Sequence, residues 1–406
     1  MSPPTALLVA RYRAFAGEET LPLRPLTLLY GRNNSGKSAL ARALAIIGAS
    51  VTEAAKGALV TLPEIIREGD FTDLAWQGDA GDYTFDIGLR WDDGEVREVR
   101  YTLDGGSGRP SYVKELLLRG ADGRVLWAGL TPPAPGRPMR PQTGHSGGEQ
   151  RLAGLVPLDS DVPVLQGLAA RMKTLHGRVR WIDGVRARPA RVVKRTGTAP
   201  ANLRPDGSNA ASFLVEQPEL VEEIGRFYAD LTPARELEVR EVLDLGHRIT
   251  LNPKNRASFR IDLVDTGEGM AQVLPVLVAV ALAARGGPSA LLAVEEPESH
   301  LHPDAQAVLA RYLCRVAGSE KPPTLVMETH SRVFLLGIQL AVAQGRLPCD
   351  RVGLAWVDQD AEGRSTITPV ELSPSGHPRE GWPIAAFAED LRLASDLARL
   401  DIARGP

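Results

Sequence analysis

Short apolar runs separated by turn residues open the chain. Ala6–Val9, Thr20–Leu23 and Leu26–Tyr30 have the length and apolar content of strands, and a glycine follows the last of them. The next apolar segment, Ser38–Ala49, contains good helix formers with apolar residues at helical spacing. The pattern predicts a small sheet, a glycine-containing loop and a helix, in this order.

The middle of the chain has a different pattern, which predicts an inserted region. Apolar and polar residues nearly alternate between Asp82 and Leu103 around an Asp-Asp-Gly turn, as is typical of a hairpin. A loop rich in proline and glycine follows over Leu130–Gly148. Beyond it, the residue pattern predicts helices over Gln217–Leu231 and Ala234–Leu243.

The last third alternates predicted helices and buried strands. We expect helices over Ala271–Ala284 and Ala305–Val316, and strands over Ala290–Val294 and Thr324–Met327. Alternation of this kind implies a mostly parallel sheet.

Composition places the chain among globular proteins of the cell interior. Its 406 residues are 43% hydrophobic and 24% charged, which excludes a small disulfide scaffold and an intrinsically disordered chain. The two cysteines, Cys314 and Cys349, supply neither a disulfide framework nor a zinc site, and they suit a reducing compartment. No apolar run reaches the ~20 residues of a membrane-spanning helix, and the N-terminus lacks the pattern of a signal peptide. We therefore expect a cytoplasmic protein without membrane contact.

A phosphate-binding loop is the most specific motif. The octapeptide GRNNSGKS matches the pattern G-x-x-x-x-G-K-[ST] and lies between a predicted strand and a predicted helix, as this motif requires. Lys37 would reach the β- and γ-phosphates, and Ser38 would offer its hydroxyl to Mg²⁺. The alternative is a glycine-rich turn with a chance lysine. ATP and Mg²⁺ are the predicted cofactors, and the predicted nucleotide-binding residues of the loop are Gly31, Asn33, Asn34, Ser35, Gly36, Lys37, Ser38 and Ala39.

Two carboxylates end a predicted strand, at the edge where open α/β sheets bind ligands. In LLAVEEP, Glu295 would hold Mg²⁺, directly or through water, and Glu296 would orient or deprotonate the attacking water. His330 follows the next apolar strand, where its imidazole could hydrogen-bond the γ-phosphate or the attacking water. The alternatives are a solvated strand end and an ordinary surface histidine, but the phosphate loop favours a functional interpretation of all three residues.

These motifs, taken in order, resemble the ABC-type ATPase heads of structural-maintenance-of-chromosomes (SMC) proteins, DNA double-strand-break repair ATPases and OLD-like defence ATPases. The resemblance rests on YRAF with LTLLYGRNNSGKSAL, on VDTGEGMAQVLPVL, on LLAVEEPESHLHP and on LVMETHS. Two of these motifs look like those of small stand-alone ATPases of the OLD-like group, many of them encoded in anti-phage loci. The implied fold class is α/β: a P-loop NTPase with an ABC-type head, a mixed central sheet flanked by helices, and an inserted α/β lobe.

The resemblance also implies domain boundaries and residue roles. Residues 1–75 and 246–345 would form the two parts of the ATPase head, residues 76–245 the inserted lobe, and residues 346–406 a C-terminal extension. Glu295 would be the metal-binding Walker B acid, Glu296 the catalytic glutamate, His330 the switch histidine, and Ser299–His302 the D-loop. Gln77 would be a Q-loop glutamine that contacts Mg²⁺, with an ordinary exposed glutamine as the alternative.

The signature-like segment implies a homodimer held by ATP. In this class, the signature of one subunit contacts the γ-phosphate bound by the other, which assigns Thr266, Gly267 and Gly269 to nucleotide binding. The sequence departs from the common pattern at this TGEG signature, at Glu295, where Asp is usual, and at His302, which replaces the D-loop Asp.

An arginine-rich window predicts contact with nucleic acid. Nine Arg or Lys residues and one acid lie between Arg171 and Arg195, and clustered guanidinium groups suit the phosphates of DNA or RNA. The candidate contacts are Arg186, Arg188 and Arg191. The alternatives are a solvated strand face and pairing with acidic residues elsewhere in the chain.

The sequence therefore predicts a Mg²⁺-dependent ATPase that dimerises on ATP and couples hydrolysis to nucleic acid or to a separate effector subunit, in anti-phage defence or DNA maintenance and repair. The alternative is a regulatory scaffold that binds ATP and controls an effector without touching nucleic acid. A transporter ATPase ranks below both, because the interval between the phosphate loop and the Walker B strand is longer than in transporter heads. We expect no nuclease activity, because no second motif of paired carboxylates follows His330.

Overall fold

Two large β-sheets organise the structure. It is a computed structural model, and it describes residues 2–55, 57–60, 63–66, 69–78, 81, 83–106, 108–132, 136–242, 246–255 and 259–383. One sheet has six strands and is mostly parallel, and the other has seven strands and is antiparallel throughout. Asp82 and residues 384–406 of the predicted extension lie outside the described residues.

The described residues form strands and α-helices along the whole length from residue 6 to residue 371. The strands are β1 (Ala6–Ala10), β2 (Glu19–Pro22), β3 (Leu26–Gly31), β4 (Phe85–Arg90), β5 (Glu98–Gly106), β6 (Arg109–Arg119), β7 (Val125–Leu130), β8 (Arg140–Pro141), β9 (Arg151–Ala153), β10 (Val156–Leu158), β11 (Val179–Ile182), β12 (Arg235–Val242), β13 (Gly246–Pro253), β14 (Leu291–Glu295), β15 (Thr324–Glu328), β16 (Val352–Gln359) and β17 (Ser365–Glu371). The helices are α1 (Lys37–Ser50), α2 (Pro63–Ile66), α3 (Pro163–Leu175), α4 (Ala210–Glu216), α5 (Pro218–Ala229), α6 (Glu268–Gly286), α7 (Pro303–Ala317) and α8 (Arg332–Ala343).

The six-stranded sheet contains β3, β14 and β15, which precede the phosphate loop, Glu296 and His330 along the chain. Its order is β11-β14-β15-β3-β16-β17, and all neighbours are parallel except β16 and β17. Every residue of β3, β14 and β15 is buried, because α1 and the seven-stranded sheet cover one face while α6, α7 and α8 cover the other. The carboxyl ends of β3, β14 and β15 lie side by side at one edge, which is where ligands bind in sheets of this kind.

The sheets do not follow the domain boundaries implied by the resemblance. The seven-stranded sheet has the order β2-β1-β4-β5-β6-β7-β8, so strands from residues 1–75 and 76–245 pair with each other. The central sheet takes β11 from the predicted inserted lobe, and β16 and β17 from the predicted extension. The pattern of one strand does not reveal its distant partner, which explains the difference. The hairpin predicted around the Asp-Asp-Gly turn is confirmed as β4 and β5.

The helix predicted over Ala234–Leu243 is wrong. Strand β12 occupies this segment and pairs with β13 along its full length. Glu, Leu and Arg favour helix in isolation, but the buried side chain of Leu237 and the half-buried side chain of Val239 follow the two-residue period of a strand. Pairing with β13 therefore decided the structure of this segment.

Helix α6 is the longest apolar helix of the described residues. The segment Glu268–Ser289 is long and apolar enough to cross a membrane, but 67% of its most apolar window is buried inside the protein. It packs against α4, α5, α7 and β14, as the central helix of a globular core does.

Candidate nucleotide-binding and catalytic site

The loop after β3 turns sharply at two glycines. Gly31 has φ 156°, and a Cβ atom there would lie 2.0 Å from the carbonyl oxygen of Val357 on β16. Gly36 caps α1 with φ 92°, and its Cβ would lie 3.1 Å from the ring of Phe15. Glycine meets both conditions without strain, so the loop can close tightly before α1 begins.

An open cavity of ≈ 580 Å³ lies in front of this loop. Asn33–Ala39 line it together with Gln77, Glu296 and His330, which come from three distant parts of the chain. The structure therefore brings together the predicted phosphate loop, Q-loop glutamine, catalytic carboxylate and switch histidine. Among the residues predicted to bind nucleotide or metal, Gly31, Glu295, Thr266, Gly267 and Gly269 do not line this cavity, and neither do the nucleic-acid candidates Arg186, Arg188 and Arg191.

Lys37 is held inside the loop. Its side-chain Nζ donates hydrogen bonds to the carbonyl oxygens of Arg32, at 2.7 Å, and of Gly31, at 3.2 Å. Burial lowers the pKa of Lys37, while the charges of Glu328 and Glu296 act in the opposite direction. Its ammonium group lies at the cavity wall, where a phosphate oxygen can bind it.

Glu328, which the sequence analysis did not single out, is the carboxylate beside Ser38. Ser38 Oγ donates to Glu328 Oε1 at 2.9 Å, and Glu328 Oε2 is buried with no hydrogen-bond partner among the described residues. Burial raises the pKa of Glu328 to about 7, and the charges of Glu295 and Glu296 add to this effect. Its position as the last residue of β15, next to β3 and two residues before His330, is the signal that could have identified it.

Glu295 is held away from the cavity by a buried ion pair, so the metal role predicted for it does not fit. Its Oε2 accepts from Arg42 Nη2 at 2.6 Å, and its Oε1 accepts from Arg42 Nε at 2.7 Å and from Trp181 Nε1 at 2.9 Å. Burial raises the pKa of Glu295, and the Arg42 guanidinium opposes this shift. The alternation of side chains along β14 directs Glu295 under α1, where Arg42 binds it.

Glu296 reaches the cavity from a turn with unusual backbone geometry. Its φ is 45°, a left-handed value that is uncommon for residues other than glycine, and its N–H donates to the carbonyl oxygen of Glu328 at 2.8 Å. Ser299 Oγ donates to Glu296 Oε2 at 2.7 Å. The turn therefore holds a carboxylate at the cavity, where it can accept a proton from water.

Arg186 supports this turn from inside the protein. Its Nη1 donates to the carbonyl oxygen of Glu295 at 3.1 Å, and its Nη2 donates to that of Glu296 at 2.8 Å. Its residue exposure is 5%. The nucleic-acid contact predicted for Arg186 is therefore wrong, because the guanidinium is buried against backbone carbonyls.

A buried carboxylate arranges the switch segment that contains His330. Glu298 Oε1 accepts from Thr329 Oγ1 at 2.5 Å and from the backbone N–H groups of His330, at 3.0 Å, and Ser331, at 3.2 Å. Desolvation and the charge of Lys37 lower the pKa of His330, which favours the neutral imidazole at the cavity. Glu298 thus joins the turn after β14 to the turn after β15.

The signature-like segment lies against the predicted D-loop. Helix α6 begins directly after Gly267, and among the described residues no atom other than those of its chain neighbours would lie within 4 Å of an added Cβ. A Cβ at Gly269 would lie 2.2 Å from the carbonyl oxygen of His300, so the two backbones are in close contact. Thr266 closes the preceding turn by donating its hydroxyl to the carbonyl oxygen of Leu263 at 2.6 Å.

Two further arginines of the basic window pair with acids at this segment. Arg188 forms an ion pair with Glu268, the first residue of α6. Arg191 binds Asp262 at 2.8 Å and Asp265 at 2.5 Å. Pairing with acidic residues elsewhere in the chain, the alternative to nucleic-acid contact, is therefore the arrangement found for both.

Gln77 is exposed at the cavity wall opposite the phosphate loop. Its Nε2 donates to the carbonyl oxygens of Thr72, at 2.7 Å, and Ala75, at 3.3 Å. Several lining residues lie outside the motifs of the sequence analysis, and they include Arg13, Asp73, Trp76 and Gln359. They reach the cavity through the pairing of distant strands and turns, for which the sequence contains no local signal.

The residues present fit a metal that is bound mainly through a nucleotide. Among the described residues, no three His, Cys, Asp or Glu side chains cluster as ligands of a metal ion. Mg²⁺ usually keeps several waters and binds through one or two protein oxygens together with substrate phosphates. The Ser38 hydroxyl, the unpartnered Glu328 oxygen and the adjacent phosphate loop meet this requirement.

Comparison by sequence gives one family. Residues 177–337, from just before β11 to the middle of α8, match the family described as "AAA domain, putative AbiEii toxin, Type IV TA system". A search of curated proteins found no match.

Comparison by structure gives heads of SMC proteins. The "SmcHead bound to the C-winged helix domain of ScpA" has a TM-score of 0.50 and 14% identity, over 91% of this chain and 98% of that one. The "SMC head domain from Thermotoga maritima" has a TM-score of 0.46 and 13% identity, over 91% and 100% of the two chains. An Smc head with an extended coiled coil "derived from Pyrococcus furiosus" has a TM-score of 0.48 and 11% identity, over 98% and 100%. The first likeness confirms the predicted fold class.

Proposed function

We propose that this chain, a P-loop ATPase with an SMC-like head of the ABC type, closes two copies of itself around Mg-ATP and reopens them after hydrolysis. The observation that carries the proposal is the separation of the predicted site into two parts. The phosphate loop, Glu296 and His330 line one cavity, whereas the signature residues Thr266, Gly267 and Gly269 lie outside it. A signature that does not reach the nucleotide of its own copy can complete the site of a second copy.

Each cavity residue has a distinct role in the proposed reaction. Lys37 binds phosphate oxygens, Glu296 accepts the proton of the attacking water, and His330 hydrogen-bonds the γ-phosphate or that water. Ser38 and the exposed Gln77, which both line the cavity, would hold Mg²⁺. Mg²⁺, when bound, neutralises charge on the β- and γ-phosphates.

The exposed start of α6 supports the role of the signature. The N-terminus of a helix favours an anion through its N–H groups and its dipole, and Gly267 leaves the space in front of it open. Arg188 and Arg191 neutralise acidic charge beside this helix start. The γ-phosphate held by a second copy would therefore meet little repulsion here.

We also propose that closure acts on a separate effector protein in the cytoplasm, in anti-phage defence or DNA maintenance. One similar SMC head has been solved with a domain of ScpA bound to it, which shows that a head of this fold can bind a partner protein. In this chain, the buried Arg186 and the paired Arg188 and Arg191 weaken the case for nucleic acid as the direct partner. An effector responds to closure only if it binds the open and closed states with different affinities.

The test uses the Glu296→Gln variant, which keeps the shape of the site but lacks the base. With Mg-ATP it should accumulate as a dimer in light scattering, and its hydrolysis rate should fall by about 10²–10⁴-fold. Adding Gly267→Trp should abolish the dimer and leave ATP binding to the monomer intact, because a large side chain fits this open position in one copy but obstructs a partner.

Gly167→Trp on the exposed face of α3 is the matched control, because Gly167 also has open space around it and lies in a distant helix. This control should dimerise like its parent. A dimer that survives Gly267→Trp, or one that forms equally without ATP, would refute the proposed use of the signature.

A further inference from the structure

Two carboxylates compete for the metal role because they end neighbouring strands. Glu295 on β14 and Glu328 on β15 are register partners in the parallel pair. Residues at paired positions point to the same face of a sheet, and here Ala293 and Val326, two residues earlier, both pack into the core that contains α1. Both carboxylates therefore extend toward α1.

The direction of α1 decides which carboxylate meets the nucleotide. The helix starts at the end of β3, beside β15, and crosses toward β14 and β11. Ser38 and Arg42 lie four residues apart on it, so they share one face with one turn between them. The first turn places Ser38 on Glu328, and the second places Arg42 on Glu295.

The two carboxylates differ in how many of their oxygens accept hydrogen bonds. Both oxygens of Glu295 accept hydrogen bonds, three in all, from Arg42 and Trp181. Releasing Glu295 toward a metal would leave the Arg42 guanidinium without its main partner, and Asp183 is 3.9 Å away from it. Glu328 has one oxygen on Ser38 and one buried oxygen that no hydrogen-bond donor of the described chain reaches, and it lines the cavity.

We infer that Glu328, rather than Glu295, is the carboxylate that holds Mg²⁺ together with Ser38, and that Glu295 is a positioning residue that fixes α1 to β14 through Arg42. This inference rests on the proposed binding of Mg-ATP at the phosphate loop. Nucleotide phosphates and waters supply the remaining ligands.

The experiment measures how much Mg²⁺ tightens the binding of a fluorescent, non-hydrolysable ATP analogue to the full chain. Affinity in Mg²⁺ is compared with affinity in EDTA, so the ratio isolates the metal. Glu328→Gln should reduce this ratio by about 10–100-fold while leaving the affinity in EDTA equal or higher. Glu295→Gln should keep the wild-type ratio and lower the melting temperature instead.

Two further variants complete the set. Glu371→Gln, on the exposed side of β17, is the matched control and should change neither quantity. Glu328→Asp keeps the charge but retracts it by one methylene, so it should show a smaller loss of the Mg²⁺ effect and a normal affinity in EDTA. If Glu328→Gln does not fold, Glu328→Asp still tests whether Glu328 holds Mg²⁺.

The outcomes separate this inference from the function on which it rests. A wild-type chain that binds no nucleotide would refute the proposed function itself. A wild-type chain that responds to Mg²⁺ and an equal response in Glu328→Gln would overturn only the assignment of Glu328. Loss of the Mg²⁺ effect in Glu295→Gln, whether alone or to the same extent as in Glu328→Gln, would also overturn it.

Discussion

The phosphate loop and the arginine-rich segment at residues 183–191 both looked functional in the sequence, but they have different surroundings in the structure. The loop faces an open cavity with residues from five other parts of the chain. The arginines of the segment face carbonyl oxygens and carboxylates of their own protein. The loop motif specifies a backbone shape that suits phosphate binding, whereas a charge cluster specifies no partner and can be satisfied internally.

Substitution of Lys37 is expected to give the largest effect among the tests of this difference between the phosphate loop and the arginine-rich segment. Lys37→Ala should abolish the thermal stabilisation by Mg-ATP, worth about 2.7 kcal/mol at a hundredfold excess over Kd, and leave the unliganded melting temperature nearly unchanged. The ammonium bonds only to carbonyl oxygens of its own loop, so its loss breaks no contact between elements.

Lys173→Ala is the control for this charge removal, because Lys173 pairs with Glu53 on the surface. Equal stabilisation by Mg-ATP in Lys37→Ala and in wild type would show that Lys37 does not bind the nucleotide. The contrast between the phosphate loop and the arginine-rich segment would then fail at the loop.

An intermediate effect is expected at Arg186. Arg186→Gln should lower the free energy of unfolding by about 2–3 kcal/mol, because charged hydrogen bonds to three backbone carbonyls are lost in the interior. It should also lower kcat more than it raises KM, since the carbonyl of Glu296 is one of the three backbone carbonyls to which the guanidinium donates. Arg186→Lys can reach one of these carbonyls, so its free energy of unfolding and its kcat should lie between those of wild type and Arg186→Gln.

Binding of DNA or RNA, if the chain has any, should be the same in Arg186→Gln as in wild type. If Arg186→Gln kept normal stability but bound DNA or RNA more weakly and with less dependence on salt, Arg186 would be a surface residue that contacts nucleic acid.

The smallest effect is expected at the exposed pairs. Arg188→Ala with Arg191→Ala should shift the melting temperature less than Arg186→Gln does, and the shift should shrink in high salt, because both arginines are exposed and screened. Arg364→Ala, in the exposed pair with Asp360, is the control. Reduced affinity for DNA or RNA in the double variant alone would show that these arginines serve nucleic acid in spite of their acidic partners.

The sequence predicted the parts of the site that are local in the chain. A strand, a glycine loop and a helix follow one another within 25 residues, Glu296 follows an apolar strand directly, and His330 follows another after one intervening residue. It could not distinguish the roles of Glu295 and Glu328, because these depend on how α1 crosses two strands whose contacts with it are separated by 253 and 290 residues along the chain.

The same limit explains the errors in the fold. Residues 235–242 form a strand because a partner strand is available, and both large sheets cross the predicted domain boundaries because β1 and β11 pair with strands beyond them. Apolar periodicity describes one element at a time, whereas sheet membership is a property of pairs.

The carboxylate of Glu298 gives the site a mechanical property. It lies two residues after Glu296 and holds three donors of the segment that contains His330, so neither turn can shift without leaving buried groups unpaired, at about 1–3 kcal/mol each. We therefore expect the turn that carries Glu296 and the segment that carries His330 to move together. If two heads close as proposed, a contact on the adjoining residues 299–302 would act on both groups at once, and hydrolysis would then require both a bound nucleotide and a docked second copy.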